Sequence, residues 1–346
     1  MGVKRGIVVI MLLMALTGCT AKHGTSETAT YQNPVFQPVL ADPSVIQAKD
    51  GYIYAYGTED DWGDGKGDRL VPIIRSKNLV NWQYVGDAFS QKPSWKTPGS
   101  IWAPDIRYFN HKYYLYYAMS VWDDVNPGIG LAIADHPQGP FKDLGKVFDS
   151  KDIGVGNSID PALFVEKDET PYLFWGSFHG IFATRLTKDG RHPVGQPVQI
   201  AGNDFEASYV IKRNGYYYYF GSRGTCCEGA NSGYNVAIGR SKSLLGPYVD
   251  KDGTSLISGG GTLLLTGNFP NEKGPKSFAG PGHNAIITDK NGTDWIVYHA
   301  VDKSKPYLKD GATRRPLMID RLEWKDGWPY VKGLVPSTSK EPAPKF

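Results

Sequence analysis

The sequence predicts an all-β protein, folded as a single-domain five-bladed β-propeller. Three observations predict it. A hairpin motif recurs five times along the chain, and a second hairpin follows most of its copies. Past the N-terminus, no 3.6-residue apolar stripe of useful length appears. Gly (41) and Tyr (21) are both abundant, which suits short aromatic strands joined by many turns.

The five copies run in order. Each starts with a polar residue and a short apolar strand, then turns into a strand rich in Tyr or Trp. The first runs from Asp42 through the turn Lys49-Asp50-Gly51 to Gly57. The second runs from Asp105 through Asn110-His111 to Tyr117. The third runs from Asp160 through Lys167-Asp168-Glu169 to Trp175. The fourth runs from Glu206 through Arg213-Asn214-Gly215 to Phe220, and the fifth from His283 through Asn291-Gly292 to Tyr298. Two alternating strands around such a turn form a hairpin. Following hairpins are expected at residues 75–82, 134–141, 186–195, 241–248 and 322–328. Two hairpins make a four-stranded sheet, and starts spaced 46 to 77 residues apart suit propeller blades with variable loops. The propeller is therefore expected over residues 31–346.

The N-terminus reads as export machinery. Lys4 and Arg5 precede an apolar run over residues 7–16, too short to span a bilayer as a helix. Leu16-Thr17-Gly18-Cys19 then resembles a bacterial lipoprotein signal, with residues 1–18 removed and Cys19 lipidated. The alternative is an ordinary secretory signal with a chance cysteine. Residues 19–30, small and polar after Cys19, read as a tether. The expected product is an exported, envelope-anchored monomer that touches membrane only through its lipid.

Losing Lys4 and Arg5 lowers the formal net charge from +3 to +1, which leaves no electrostatic case for a nucleic-acid partner. The two remaining cysteines, Cys226 and Cys227, are adjacent and cannot staple distant segments. A vicinal disulfide and two free thiols both remain open. Neither makes a zinc site.

The motif also points to chemistry. In a propeller the innermost strands ring a central channel, so equivalent residues face one cavity. Here those residues read as Asp42, Asp105, Asp160, Glu206 and His283. Converging carboxylates repel and lose solvation, a cost that packing alone does not explain. Asp before Pro, as at Asp42 and Asp160, is also a common turn element. That reading does not account for Glu206, followed by Ala207, or for His283.

At these residues the chain resembles glycoside hydrolase family 43, and within it the arabinanases acting on α-1,5-linked L-arabinan. The resemblance rests on Asn33-Pro34 with Ala41-Asp42-Pro43-Ser44, on residues 100–105, on residues 158–164, and on Glu206-Ala207-Ser208-Tyr209 with residues 212–217. Narrower likenesses to the arabinanase branch are Cys226-Cys227-Glu228-Gly229, Gly259-Gly260-Gly261 and residues 280–284. Ser232-Gly233-Tyr234 departs from the Ser-Thr-Tyr usual in that branch.

The resemblance implies an inverting hydrolase, with Asp42 as general base, Glu206 as general acid and Asp160 orienting the acid and raising its pKa. Inversion needs acid and base roughly 6.5–9.5 Å apart, leaving room for water. Trp102, Asp105, Asn157 and Ser158 are the expected substrate-binding residues, Trp102 as a stacking platform, with a packing role open for Trp102 and Asp105. The resemblance also implies calcium in the central channel beside His283. That ion prefers oxygen, so water would complete its shell. Two other functions stand beside arabinan cleavage: an exo-acting α-L-arabinofuranosidase or β-xylosidase of the same family, and a non-catalytic glycan-binding propeller. The second would not need three carboxylates in register.

Overall fold

A computed structural model describes residues 1–3, 29–267 and 277–346. The signal, Cys19 and most of the tether lie outside the described residues. Thr30, at the tether's expected end, already pairs in a strand with Pro342.

Five four-stranded antiparallel sheets make up the fold. Their innermost strands are Ser44–Gln47, Ser100–Phe109, Ala162–Val165, Glu206–Arg213 and Phe278–Thr288, in blades 1 to 5. Each of these strands contacts the next, and the fifth contacts the first, so the ring is closed. Five blades around a channel are what the repeat predicts. The only α-helix among the described residues is the four-residue Ser150–Ile153.

Strand alternation explains the packing. Each sheet presents apolar residues on both faces, and facing sheets bury them against each other. Tyr56, Ile73, Ile101, Leu115 and Tyr117 fill the space between blades 1 and 2. Leu131, Phe148, Leu163 and Trp175 fill the space between blades 2 and 3. Phe174, Ile181, Val210 and Tyr219 join blades 3 and 4. The largest cluster joins blade 5 to both neighbours, through Phe220, Val236, Ile296 and Met318 and through Val45 and Ile74. Tyr and Trp serve here because they bury large area while their polar tips reach partners.

Ring closure relies on the segment before blade 1, which pairs with blade 5. Asn33 is fully buried; its Nδ2 donates to Ile319 O (2.8 Å) and its Oδ1 accepts from Ile319 N (3.0 Å). Val35 N donates to Leu317 O at 2.9 Å, and Leu317 N returns a bond to Phe36 O at 3.1 Å. Each such bond contributes about 0.5–1.5 kcal/mol net, so the set fastens the ring without a covalent link.

Blade 4 departs from expectation. Its outer strand is Thr262–Leu265, not a strand at residue 248. The intervening segment folds back, with Val249 bridging Arg240 and Tyr248 buried in the core between blades 3 and 4. Gly246, Pro247 and Tyr248 mark a turn, but the strand it should lead into is displaced by this inserted plug.

Candidate active site

Each inner strand carries, within it or two residues before it, one non-glycine residue in the left-handed region: Asp42 (φ 53°), Ala103 (46°), Asp160 (56°), Ala207 (57°) and His283 (48°). Such a conformation costs a non-glycine residue about 1–3 kcal/mol and persists where the surroundings impose it. The same strain at one position in all five blades marks a built feature. Register shifts follow at Trp102/Asp105, Glu206/Tyr209 and Gly282/Ala285. Side chains capture the backbone amides of four of the five strained residues. Asp42 N donates to His299 Nδ1 (3.0 Å), Ala103 N to Thr58 Oγ1 (2.8 Å), Ala207 N to Asp160 Oδ2 (3.1 Å) and His283 N to Ser222 Oγ (2.8 Å).

This backbone register corrects the one read from charge. Asp105 lies two residues beyond the strained position of its blade, and Glu206 one residue before it. Asp105 is buried and accepts from Ser44 Oγ (3.0 Å) and Leu163 N (2.7 Å), with Arg107 at 3.3 Å. It clamps three inner strands together and presents no free oxygen to a ligand. Burial pushes its carboxyl up, and Arg107, Leu163 N–H and Ser44 oppose that. Ser158 is likewise fully buried, donating to Val155 O and accepting from Trp175 Nε1. Its place is behind the site, so the expected substrate contacts of Asp105 and Ser158 give way to packing roles. Asn157 is part-buried and donates to Ser177 O at 3.0 Å, which puts it behind a partner of Glu206.

Asp42, Asp160 and Glu206 converge on the channel mouth from blades 1, 3 and 4. Asp42 Oδ1 accepts from Arg315 Nη1 (2.9 Å), and Oδ2 accepts from Thr58 Oγ1 (2.6 Å). His283 Nδ1 and His299 Nδ1 each lie 3.4 Å from Oδ1. Burial alone would raise this carboxyl. Arg315, the two histidines and Thr58 outweigh it and hold Asp42 well below the usual carboxylate range.

Glu206 and Asp160 have the opposite surroundings. Glu206 accepts from Ser177 Oγ on Oε2 and from Tyr234 Oη on Oε1, both at 2.6 Å. Burial raises its pKa against those two donors, and the Asp42 charge adds to the rise. Asp160 is raised well above the usual range by burial, then by Glu206 and Asp42, against the Ala207 amide and Arg315. Two buried carboxyls facing a third charge cannot all ionise, so the Asp160–Glu206 pair retains a proton while Asp42 stays anionic. One base and one protonated acid, kept apart by environment, make a general acid–base site.

Aromatic surface borders it. Trp102 immediately precedes Ala103, whose amide is held by the threonine that also bonds Asp42. Its ring centroid is 5.5 Å from that of Trp122, which is 76% exposed. An accessible indole pair beside a carboxylate suits the apolar face of a sugar. Across the site, Phe178 is 40% exposed and adjoins Ser177.

Cys226 and Cys227 form a vicinal disulfide, which decides between the two states left open by sequence. Thr313 Oγ1 donates to Cys227 O (2.7 Å) and Ser232 Oγ to Cys226 O (3.2 Å). The loop that delivers Tyr234 to Glu206 is thereby tied to blade 5.

His283 is part-buried, and the burial of its ring lowers its pKa against the opposing Asp42 charge. Among the described residues no three His, Cys, Asp or Glu side chains gather as a metal cage. The donor set fits a hard cation only as one imidazole nitrogen completed by water.

Sequence reasoning missed Thr58, Ser177, His299 and Arg315. Each is a single residue with no local motif: Thr58 comes from the blade of Asp42, Ser177 from blade 3, and His299 and Arg315 from blade 5.

The model of the glycosyl hydrolases family 43 matches residues 31–329. The chain is 37% identical over 304 residues to an extracellular endo-α-(1→5)-L-arabinanase of Bacillus subtilis, covering 84% of this chain and 87% of that protein. It is 32% identical over 292 residues to an extracellular exo-α-(1→5)-L-arabinofuranosidase of Cellvibrio japonicus, covering 75% and 80%. Among solved structures, a family 43 endo-arabinanase from Bacillus licheniformis superposes with a TM-score of 0.71 at 34% identity, over 87% of this chain and 99% of that one. An α-L-arabinanase from Cellvibrio cellulosa in complex with arabinohexaose does so with a TM-score of 0.72 at 30% identity, over 85% and 96%. A match across nearly the whole propeller, with the three carboxylates converging in it, makes this chain a member of glycosyl hydrolases family 43.

Proposed function

We propose that the protein hydrolyses α-1,5-L-arabinofuranosidic bonds of arabinan by an inverting mechanism, cutting within the chain. The observation that carries this is the meeting of Asp42, held by Arg315 and Thr58, with Glu206, held by Ser177 and Tyr234, and with Asp160 on the Ala207 amide, in a propeller whose relatives are named for arabinan. Asp42, ionised and fixed by Arg315 and Thr58, takes a proton from water attacking the anomeric carbon. Glu206 gives its proton to the departing O5 of the next arabinose. Asp160 acts through Glu206, accepting from the adjacent Ala207 amide and so orienting the acid. Trp102 and Trp122 offer the sugar a stacking surface.

A time course on debranched arabinan, read by product length and by proton NMR of the first-formed anomer, tests this. Mixed oligomers and a β-anomer are expected early. A single short product from the start would make the enzyme exo-acting, as one relative is named. An α-anomer would remove the inverting assignment, and sugar binding without hydrolysis would make the propeller a binding module.

Calcium is part of the proposal. His283 would hold it with water, and the ion would add positive charge beside the carboxylates. Chelation with EDTA is then expected to lower both the Tm and the activity, each restored by added calcium. An unchanged Tm and rate would remove the ion.

The protein is proposed to be exported, as two relatives are named extracellular, and to be a monomer anchored through Cys19. Cys19→Ser should move it from the membrane fraction to the soluble one; an unmoved distribution would discard the anchor.

A further inference from the structure

His299 lies on the second strand of blade 5, Asp294–Asp302, opposite Gly282 of the inner strand. It is fully buried, so it is no ligand for substrate. Its Nδ1 accepts the amide proton of Asp42 at 3.0 Å. Its ring lies parallel to that of Tyr234, with centroids 5.8 Å apart and planes at 13°. Tyr234 Oη in turn donates to Glu206 Oε1 at 2.6 Å. One side chain thus touches the peptide of the base with its edge and the partner of the acid with its face.

The tautomer follows from these contacts. Nδ1 accepts, so the proton of the neutral ring sits on Nε2. Burial keeps the ring neutral, aided by the Arg315 charge and opposed by Asp42. A neutral ring can accept the amide bond; an imidazolium could not. The charged and titratable groups facing it are Asp42, His283, Arg315 and Tyr234.

We infer that His299 is a positioning residue for both halves of the reaction, holding Asp42 in its strained backbone conformation and bracing Tyr234 against Glu206. This rests on the acid–base reading above. Without the Nδ1 acceptor the Asp42 amide loses its partner, and the left-handed conformation loses what imposes it. The carboxylate then drifts from Arg315 and Thr58 and from the place where it meets the attacking water. Without the ring face, Tyr234 is free to leave Glu206.

Two variants separate the two contacts. His299→Phe keeps a flat ring for Tyr234 and removes the acceptor. His299→Asn keeps an acceptor oxygen near the Nδ1 position and removes the ring face. His299→Phe should lower kcat on arabinan about ten- to a hundredfold, the scale of a small misplacement of a catalytic group. KM should change little, and the basic limb of the kcat/KM profile should stay in place. His299→Asn should move the basic limb, because Tyr234 is then free to leave Glu206. Thermal melting and circular dichroism report the folded fraction of each. Activity lost only in proportion to folded protein, with the basic limb in place in both variants, would overturn the inference. Absence of hydrolysis by the unmodified enzyme in the same assay would instead sink the functional reading on which it rests.

Discussion

Glu206→Gln should lower kcat on arabinan by about 10²–10⁴-fold, the usual span for a general acid. The amide keeps the shape and accepts from Ser177 or Tyr234, but it has no proton to give. The loss should depend on the leaving group. An arabinose O5 departs as a poor alkoxide and needs the proton. A dinitrophenolate does not. On a dinitrophenyl arabinofuranoside the same variant should therefore retain most of its rate. The basic limb of the wild-type profile should also vanish. Glu206 is pushed up by burial and by the Asp42 charge, and Asp160 by burial, Glu206 and Asp42, so the protonated acid persists above the ordinary carboxylate range and is lost as pH rises through the raised value. Equal losses on both substrates would move the acid role elsewhere.

The sequence made five blades legible because each copy of the motif is a local hairpin, with strand, turn and strand adjacent in the chain. Asp42 and Asp160 could be found in it because both precede proline at the start of an inner strand. Glu206 has no such mark; its place at the start of the fourth copy, with the resemblance, separated it from an ordinary surface glutamate. Asp105, for which packing and substrate contact both stood open, stands off the ring of strained residues for a physical reason. Position in the ring is fixed by the strained residue and the bulge after it, and a carboxylate two residues on points between blades instead of into the channel. The electrostatic shell was illegible for another reason. Arg315 is 273 residues from Asp42 in sequence, and Ser177 is 29 from Glu206, so no window of the chain contains both members of either pair. Their meeting follows from ring closure, a property of the whole chain. The plug in blade 4 was hidden because a turn signal says nothing about how far on the next strand lies.

Asp42→Asn should be as damaging as loss of the acid, about 10²–10⁴-fold in kcat, because water then attacks without a base. Asparagine tolerates the left-handed backbone at this position, so the peptide bonded to His299 is preserved. The defect is then chemical and not conformational. An anionic nucleophile that needs no base offers a test. Azide should restore part of the turnover with Asp42→Ala, where the carboxylate's volume is vacated, and should yield the inverted β-arabinofuranosyl azide. It should do nothing for Glu206→Gln on arabinan, where the leaving group still lacks its proton. A second consequence follows from charge. The Asp42 carboxylate is one of the causes raising both Asp160 and Glu206. With that charge gone, the pair should titrate lower, and the basic limb of the azide-rescued reaction should lie at lower pH than that of the wild type. A basic limb left in place would mean that the three carboxylates do not sense one another, and burial alone would then have to keep Glu206 protonated. Failure of azide, with the melting temperature intact, would leave Asp42 as a charge that orients substrate and would require another base for the water.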